Sequence, residues 1–347
     1  MTVVQSLTLD PFTFVRDVHG STGPSFIERD VDIVAMAGGG FATVVTAEDT
    51  QGPVEQPFLT IYNANATVRH SYAITGNGRD AAQAELLGKP TIAQLPSGLV
   101  MVSWRTENGL LGGGPNILGF TYDPNTGAVV DDDIVITSSP TAQNPVLAGS
   151  PQGAMVLYDT NNGLVGQRLD DFGNNQGFPV FVYQNPSAEP LVAGSATIEA
   201  GQDGEFVVAY SHERTFQQPG LSQNFEVLDL QFNELVTGAV NSSMPTVTVN
   251  DANQFSISGE RGSNGQIEIF GRSRDGLNIV VSTVIEAPNA GYGTSLTTLN
   301  GEITLAAFES SSSNNIILEA FDASGNQLFF DGFEARSLAG TTEREEM

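Results

Sequence analysis

The sequence predicts an all-β fold, a six-bladed β-propeller of four-stranded antiparallel blades, on three observations. The first is a recurring motif in which a turn glycine or asparagine precedes an apolar, β-prone run that ends in an aromatic or a charge. It reads Gly40-Phe-Ala-Thr-Val-Val-Thr, Gly98-Leu-Val-Met-Val-Ser-Trp, Gly153-Ala-Met-Val-Leu-Tyr, Gly204-Glu-Phe-Val-Val-Ala-Tyr, Asn253-Gln-Phe-Ser-Ile-Ser and Gly301-Glu-Ile-Thr-Leu-Ala-Ala-Phe. The second is the interval, roughly 50 residues along the whole chain, at which an all-β sequence builds propeller blades. The third is the supply of turns: 38 glycines and 17 prolines in 347 residues serve many short strands.

Each repeat divides into four strands. Strand a is a short apolar run after a proline or small residue, as in Pro90-Thr-Ile-Ala-Gln-Leu95, Pro145-Val-Leu-Ala148, Pro190-Leu-Val-Ala193 and Pro245-Thr-Val-Thr-Val249. Strand b is the motif itself. Strand c ends near an aspartate or asparagine, as in Ile117–Asp123, Gly166–Asp170, Val227–Asn233 and Ile317–Asp322. Turns such as Asp275-Gly276 or Ala323-Ser-Gly325 follow, because their backbone tolerates the positive φ that tight connections need. Strand d closes the blade, as in Ile134–Thr137, Val180–Tyr183, Ile279–Ser282 and Leu328–Phe330. The resulting blade limits are about 28–82, 83–139, 140–185, 186–242, 243–286 and 287–338. Residues 1–27 are surplus to this scheme and are expected to form an N-terminal arm or extra strand. Residues 339–347 read as a disordered acidic tail. One stretch, Asp80–Leu87, has helical character and is expected to supply a turn or two between blades.

Composition narrows the partners. A formal net charge of −27, from 40 acids against 13 bases, repels phosphate backbones and anionic membrane surfaces. No apolar run is long enough to span a bilayer, so no membrane insertion is expected. The first ten residues lack the basic region and apolar core of a secretory signal. The absence of cysteine removes disulfides, thiolate metal sites and cysteine nucleophiles together.

The repeat resembles that of RTX-type and related adhesin-like secreted bacterial proteins, which runs approximately Gly-Gly-Phe-Val-Val-x-Trp and then Gln-Arg-Phe-Asp. Gly39-Gly40-Phe41, Val100–Trp104, Asp203–Phe206 and Gly166-Gln-Arg-Leu-Asp170 carry the likeness. It implies an exported propeller with a binding or structural role and supplies no catalytic residues. The Gly-Gly-x-Gly-x-Asp calcium repeat of RTX β-rolls is missing, so those calcium sites do not carry over.

The sharpest chemical signal is an acid at or near the end of strand b in every blade: Glu48 and Asp49, Glu107, Asp159, Glu213, Glu260 and Glu309. Arg105, Arg214 and Arg261 accompany three of them, and His212 stands beside Glu213. In a propeller these ends share one face. Arg105, Glu107, Asp159, His212, Glu213, Arg214, Glu260, Arg261 and Glu309 are therefore the candidate ligand-binding residues. Glu107, Asp159, Glu213, Glu260 and Glu309 could pool oxygen ligands for Ca²⁺; the plainer alternative is a set of solvated strand ends. Asp131-Asp-Asp133 reads as a solvated turn, since successive strand residues point to opposite faces. His19, His70 and His212 are too scattered for a zinc site. Trp104 is expected to pack between blades.

The function expected from these features is a non-catalytic, extracellular or surface-exposed binding or structural propeller, acting in adhesion or in glycan or protein recognition. Self-association through residues 1–27 belongs to that expectation, as does a cell- or virion-surface location. Two alternatives stand beside it: a structural subunit of a virion or appendage, and a propeller hydrolase or lyase acting on glycans or lactones.

Overall fold

The computed structural model describes residues 26–49, 55–65, 67–74, 86–106, 116–185, 190–201, 204–214, 220–228, 232, 234–240, 243–249, 255–261, 266–271, 282–285, 290–299, 303–310, 316–321 and 327–331. Residues 1–25 of the expected arm, and the expected tail, lie outside these.

Among the described residues there are six four-stranded antiparallel sheets and no helix. The first sheet holds β1 (Phe26–Ala35), β2 (Phe41–Asp49), β3 (Glu55–Tyr62) and β4 (Val68–Ala73). The second holds β5 (Leu86–Gln94), β6 (Val100–Thr106), β7 (Asn116–Asp123) and β8 (Ala128–Thr137). The third holds β9 (Gln143–Ser150), β10 (Gly153–Thr160), β11 (Gly163–Leu169) and β12 (Asn175–Gln184). The fourth holds β13 (Thr197–Ala200), β14 (Phe206–Arg214), β15 (Gly220–Leu228) and β16 (Glu234–Val240). The fifth holds β17 (Ser243–Val249), β18 (Phe255–Arg261), β19 (Gln266–Gly271) and β20 (Ser282–Ile285). The sixth holds β21 (Ala290–Leu299), β22 (Ile303–Ser310), β23 (Ile316–Phe321) and β24 (Gln327–Asp331). Within every sheet the strands lie in chain order, as in a meander.

Two details depart from the sequence reading. Phe26 and Ile27 begin β1, paired with Asp49 and Glu48, instead of ending an arm. Leu86 and Leu87 are not helical; they open β5, opposite Thr106 and Arg105.

The recurring motif is the second strand of each sheet, and packing explains its unbroken apolar runs. Residues of β6 are buried on both faces of the sheet. Val100, Val102 and Trp104 pack with Val44, Leu59 and Ile61 of the first sheet, while Met101 packs with Val156 and Tyr158 of the third. The pattern repeats one sheet on, where Met155 and Leu157 of β10 pack with Phe206, Val208 and Tyr210 of β14. A strand covered on both sides gains from apolar residues at every position, so alternation disappears. Trp104 is 1% exposed in the core between the first two sheets, as its expected role requires.

The first strands meet one another in succession: β1 with β5, β5 with β9, β9 with β13, β13 with β17 and β17 with β21. The last strand of the third sheet, β12, is exposed along most of its length. The meeting of β5 and β9 is especially close. A Cβ on Gly149 would lie 1.9 Å from the carbonyl oxygen of Gln94, so only glycine fits there. Turns need glycine for a different reason at Gly40, where φ is +87° and a Cβ would meet the Tyr62 carbonyl at 2.2 Å.

Candidate active site

The first strands are the inner edges of their sheets, so one row of their backbone groups has no partner within its own sheet. Side chains from the preceding sheet fill part of that need. Oδ2 of Asp32 on β1 accepts hydrogen bonds from the Ile92 N–H at 3.0 Å and from the Thr91 hydroxyl at 3.0 Å, both on β5. Its Oδ1 accepts from the Ile33 N–H at 3.0 Å. Thr91 in turn accepts at Oγ1 from the Leu147 N–H of β9 at 3.2 Å. A string of hydrogen bonds thus crosses three inner strands and ends on a carboxylate.

Glu199 stands on β13, the inner strand of the fourth sheet. Ile198 beside it packs into the core toward the third sheet, so Glu199 points the other way. Its side chain is accessible to solvent. Desolvation nevertheless raises its pKa to about 7, and the negative charge of Asp32 raises it further in the same sense. Glu199 thus stands along the line where the inner strands meet. The Asp32 contribution carries geometric meaning too. The second and third sheets lie between the first and fourth in packing order. The row of sheets must therefore curve round for the two carboxylates to act on each other.

A second polar cluster lies at the opposite ends of the third and fourth sheets. Oδ2 of Asp159, near the end of β10, accepts from Asn144 Nδ2 at 2.9 Å and from the Gly194 N–H at 2.7 Å. Its Oδ1 is buried without a hydrogen-bond partner, and the residue is 2% exposed. Burial pushes its pKa up, and the two hydrogen bonds oppose that only in part. His212 of β14 is buried and forms an antiparallel bridge with Leu191, and its ring stacks on Tyr183 with centroids 5.7 Å apart.

The residues expected from sequence distribute as follows. Asp159 and His212 are interior groups of the third and fourth sheets and not members of an open rim. Arg105 is half-buried on β6, opposite Ile117. Glu213 and Arg214 end β14, Glu260 and Arg261 end β18, and Glu309 lies next to the end of β22; for these five the backbone placement alone is described. Glu107 lies outside the described residues. Among the described residues no three His, Asp or Glu side chains gather as a metal site would require. Asp32 and Glu199 were absent from the sequence-derived set, although a signal existed. Each is an acid inside an otherwise apolar or β-branched strand-a run, Val31-Asp32-Ile33-Val34 and Thr197-Ile198-Glu199-Ala200.

No family model matches this chain, and no curated protein matches it in sequence. Solved structures do match its fold. An α-L-arabinanase of Penicillium chrysogenum, complexed with arabinobiose, superposes with a TM-score of 0.58 at 12% identity, covering 86% of this chain and 95% of that one. The GH93 α-L-arabinofuranosidase of Fusarium graminearum gives 0.59 at 11% identity, over 87% and 96%. The Dos1 propeller gives 0.52 at 11% identity, over 88% and 69%. The chain has a β-propeller fold. These neighbours also correct the functional expectation. The expected non-catalytic binding or structural role gives way, because the arabinanase and the arabinofuranosidase, each matched over nearly its whole length, are glycosidases.

Proposed function

We propose that this protein is a glycoside hydrolase whose six sheets form a six-bladed propeller, with Asp32 and Glu199 facing each other across its central channel as the catalytic carboxylates. One observation carries the reading: two carboxyl groups from the first and fourth sheets act on each other, and one of them has a pKa of about 7. First and fourth are opposite blades in a ring of six. Glycoside hydrolysis needs two carboxyl groups flanking the scissile bond, in different protonation states.

Glu199 fills the acid's role. At neutral pH a large share of it holds its proton, which it donates to the glycosidic oxygen as the bond to the anomeric carbon breaks. Asp32, held by three donors, supplies negative charge opposite the developing oxocarbenium ion. Water then adds to the anomeric carbon and its proton returns to a carboxylate, leaving the enzyme unchanged. The surface charge of −27 favours neutral glycans over acidic ones. Arabinose-containing polymers are the first substrates to assay, because the structural neighbours act on them.

The test is release of reducing sugar from arabinan, arabino-oligosaccharides and a panel of other neutral glycans. Wild-type protein should cleave at least one of them. Asp32→Asn and Glu199→Gln should each lower that rate by about 10²-fold or more, as loss of a positioned acid or base does. No cleavage of any glycan, or full activity in both variants, would overturn the proposal.

A further inference from the structure

We propose that Thr91 is a positioning residue for this site, its hydroxyl fixing the Asp32 carboxylate on the inner strands so that it faces Glu199. The inference rests on the hydrolase reading above. Thr91 and Asp32 occupy the same register position in successive sheets, each the fourth pair back from the turn that joins the first two strands: Asp32 opposite Val44, Thr91 opposite Ser103. Each reaches across to the next inner strand. Asp32 takes the Ile92 N–H, and Thr91 takes the Leu147 N–H. On β9 the residue that precedes Leu147, as Thr91 precedes Ile92, is Val146, opposite Leu157, whose side chain has no polar atom to offer. The string therefore starts at Leu147 and has one direction. The Leu147 N–H occupies a lone pair of the Thr91 oxygen, which aims the hydroxyl proton away from β9 and onto Asp32 Oδ2.

Burial makes this arrangement stiff. Thr91 is 5% exposed, and its χ1 is restricted by β-branching. Without its hydroxyl, Asp32 Oδ2 keeps the Ile92 N–H but loses the contact that fixes its torsion. The carboxylate is then free to turn toward solvent and away from the fourth sheet. Thr91 touches no reacting atom in this account. It sets where the Asp32 charge sits, and hence how strongly that charge holds the proton on Glu199.

The experiment compares full-length Thr91→Val, which keeps the shape, and Thr91→Ser, which keeps the hydroxyl. Two readouts are taken: steady-state kinetics on the best glycan, and ¹³C NMR titration of the Glu199 carboxyl, assigned with Glu199→Gln. In Thr91→Val the Glu199 titration should move down from its wild-type position. The alkaline limb of the pH–rate profile should move down with it, and kcat should fall about tenfold with KM changed less than twofold. Thr91→Ser should restore both. Should Thr91→Val not fold, Thr91→Ala takes its place with the same expectation. A Glu199 titration unmoved by loss of the hydroxyl, or a serine variant no closer to wild type than the valine one, would overturn the proposal. If wild type cleaves no glycan, the hydrolase reading fails by itself, and the NMR titration still decides whether Thr91 positions Asp32.

Discussion

Asp32 on the first sheet and Glu199 on the fourth act on each other electrostatically, although two whole sheets separate them in the packing order. That relationship ties architecture to chemistry. It requires the row of sheets to bend back on itself, and both carboxyl groups stand on the inner strands that meet in succession.

Glu199 makes stability depend on pH in a defined window. Its folded pKa of about 7 lies above the ordinary glutamate value of 4.5, so the folded protein holds a proton that the unfolded chain gives up. The associated stability is fully present below about pH 4.5 and is lost as pH rises through 7. Melting curves of wild type and Glu199→Gln should therefore diverge between pH 5 and 8, the glutamine variant gaining relative to wild type, and run parallel above that. Curves parallel throughout would show that Glu199 is not perturbed.

Asp159 separates the roles of charge and hydrogen bonding. Its Oδ2 serves both Asn144 and Gly194, and an amide oxygen can do the same. Asp159→Asn should match or exceed wild-type stability at pH 8, because it removes a desolvated carboxylate. Asp159→Ala should lose about 2–3 kcal/mol, since it leaves buried donors unpaired. Urea unfolding at pH 5 and pH 8 checks both. The advantage of asparagine should be larger at the higher pH, in line with the raised pKa of Asp159.

Gly149 tests the contact between inner strands. Gly149→Ala puts a methyl group against the Gln94 backbone and should cost about 1–3 kcal/mol, the range of overpacking. Gly38→Ala is the control. Nothing lies within 4 Å of the added carbon there, so the change should stay within about 0.5 kcal/mol.

The fold was more legible in the sequence than the site. The motif runs beginning at Phe41, Val100, Gly153 and Phe206 became second strands because burial on both faces demands unbroken apolar residues, a pattern visible without coordinates. Turn glycines such as Gly40 and Gly98 marked where these strands begin, because both hold positive φ. The carboxylate pair was hidden for a physical reason. Acids are frequent at strand ends, and Asp159 and His212 there are buried within the sheets. Asp32 and Glu199 are each one acid in a short inner strand. Neither has a local partner that spacing could reveal, and they meet only through the curvature of the whole assembly. The helical reading of Asp80–Leu87 failed at Leu86 and Leu87 because pairing with β6 outweighs local propensity.

The dependence of hydrolysis on the leaving group distinguishes an acid at Glu199 from a bystander. An acid that protonates the departing oxygen matters most when that oxygen leaves poorly. Glu199→Gln should lower kcat/KM for the natural glycan by about 10²–10⁴-fold, while an activated aryl glycoside of the same sugar loses far less. An equal loss on both substrates, or no loss on either, would contradict the assignment of Glu199 as the acid and with it the account of this channel as an active site.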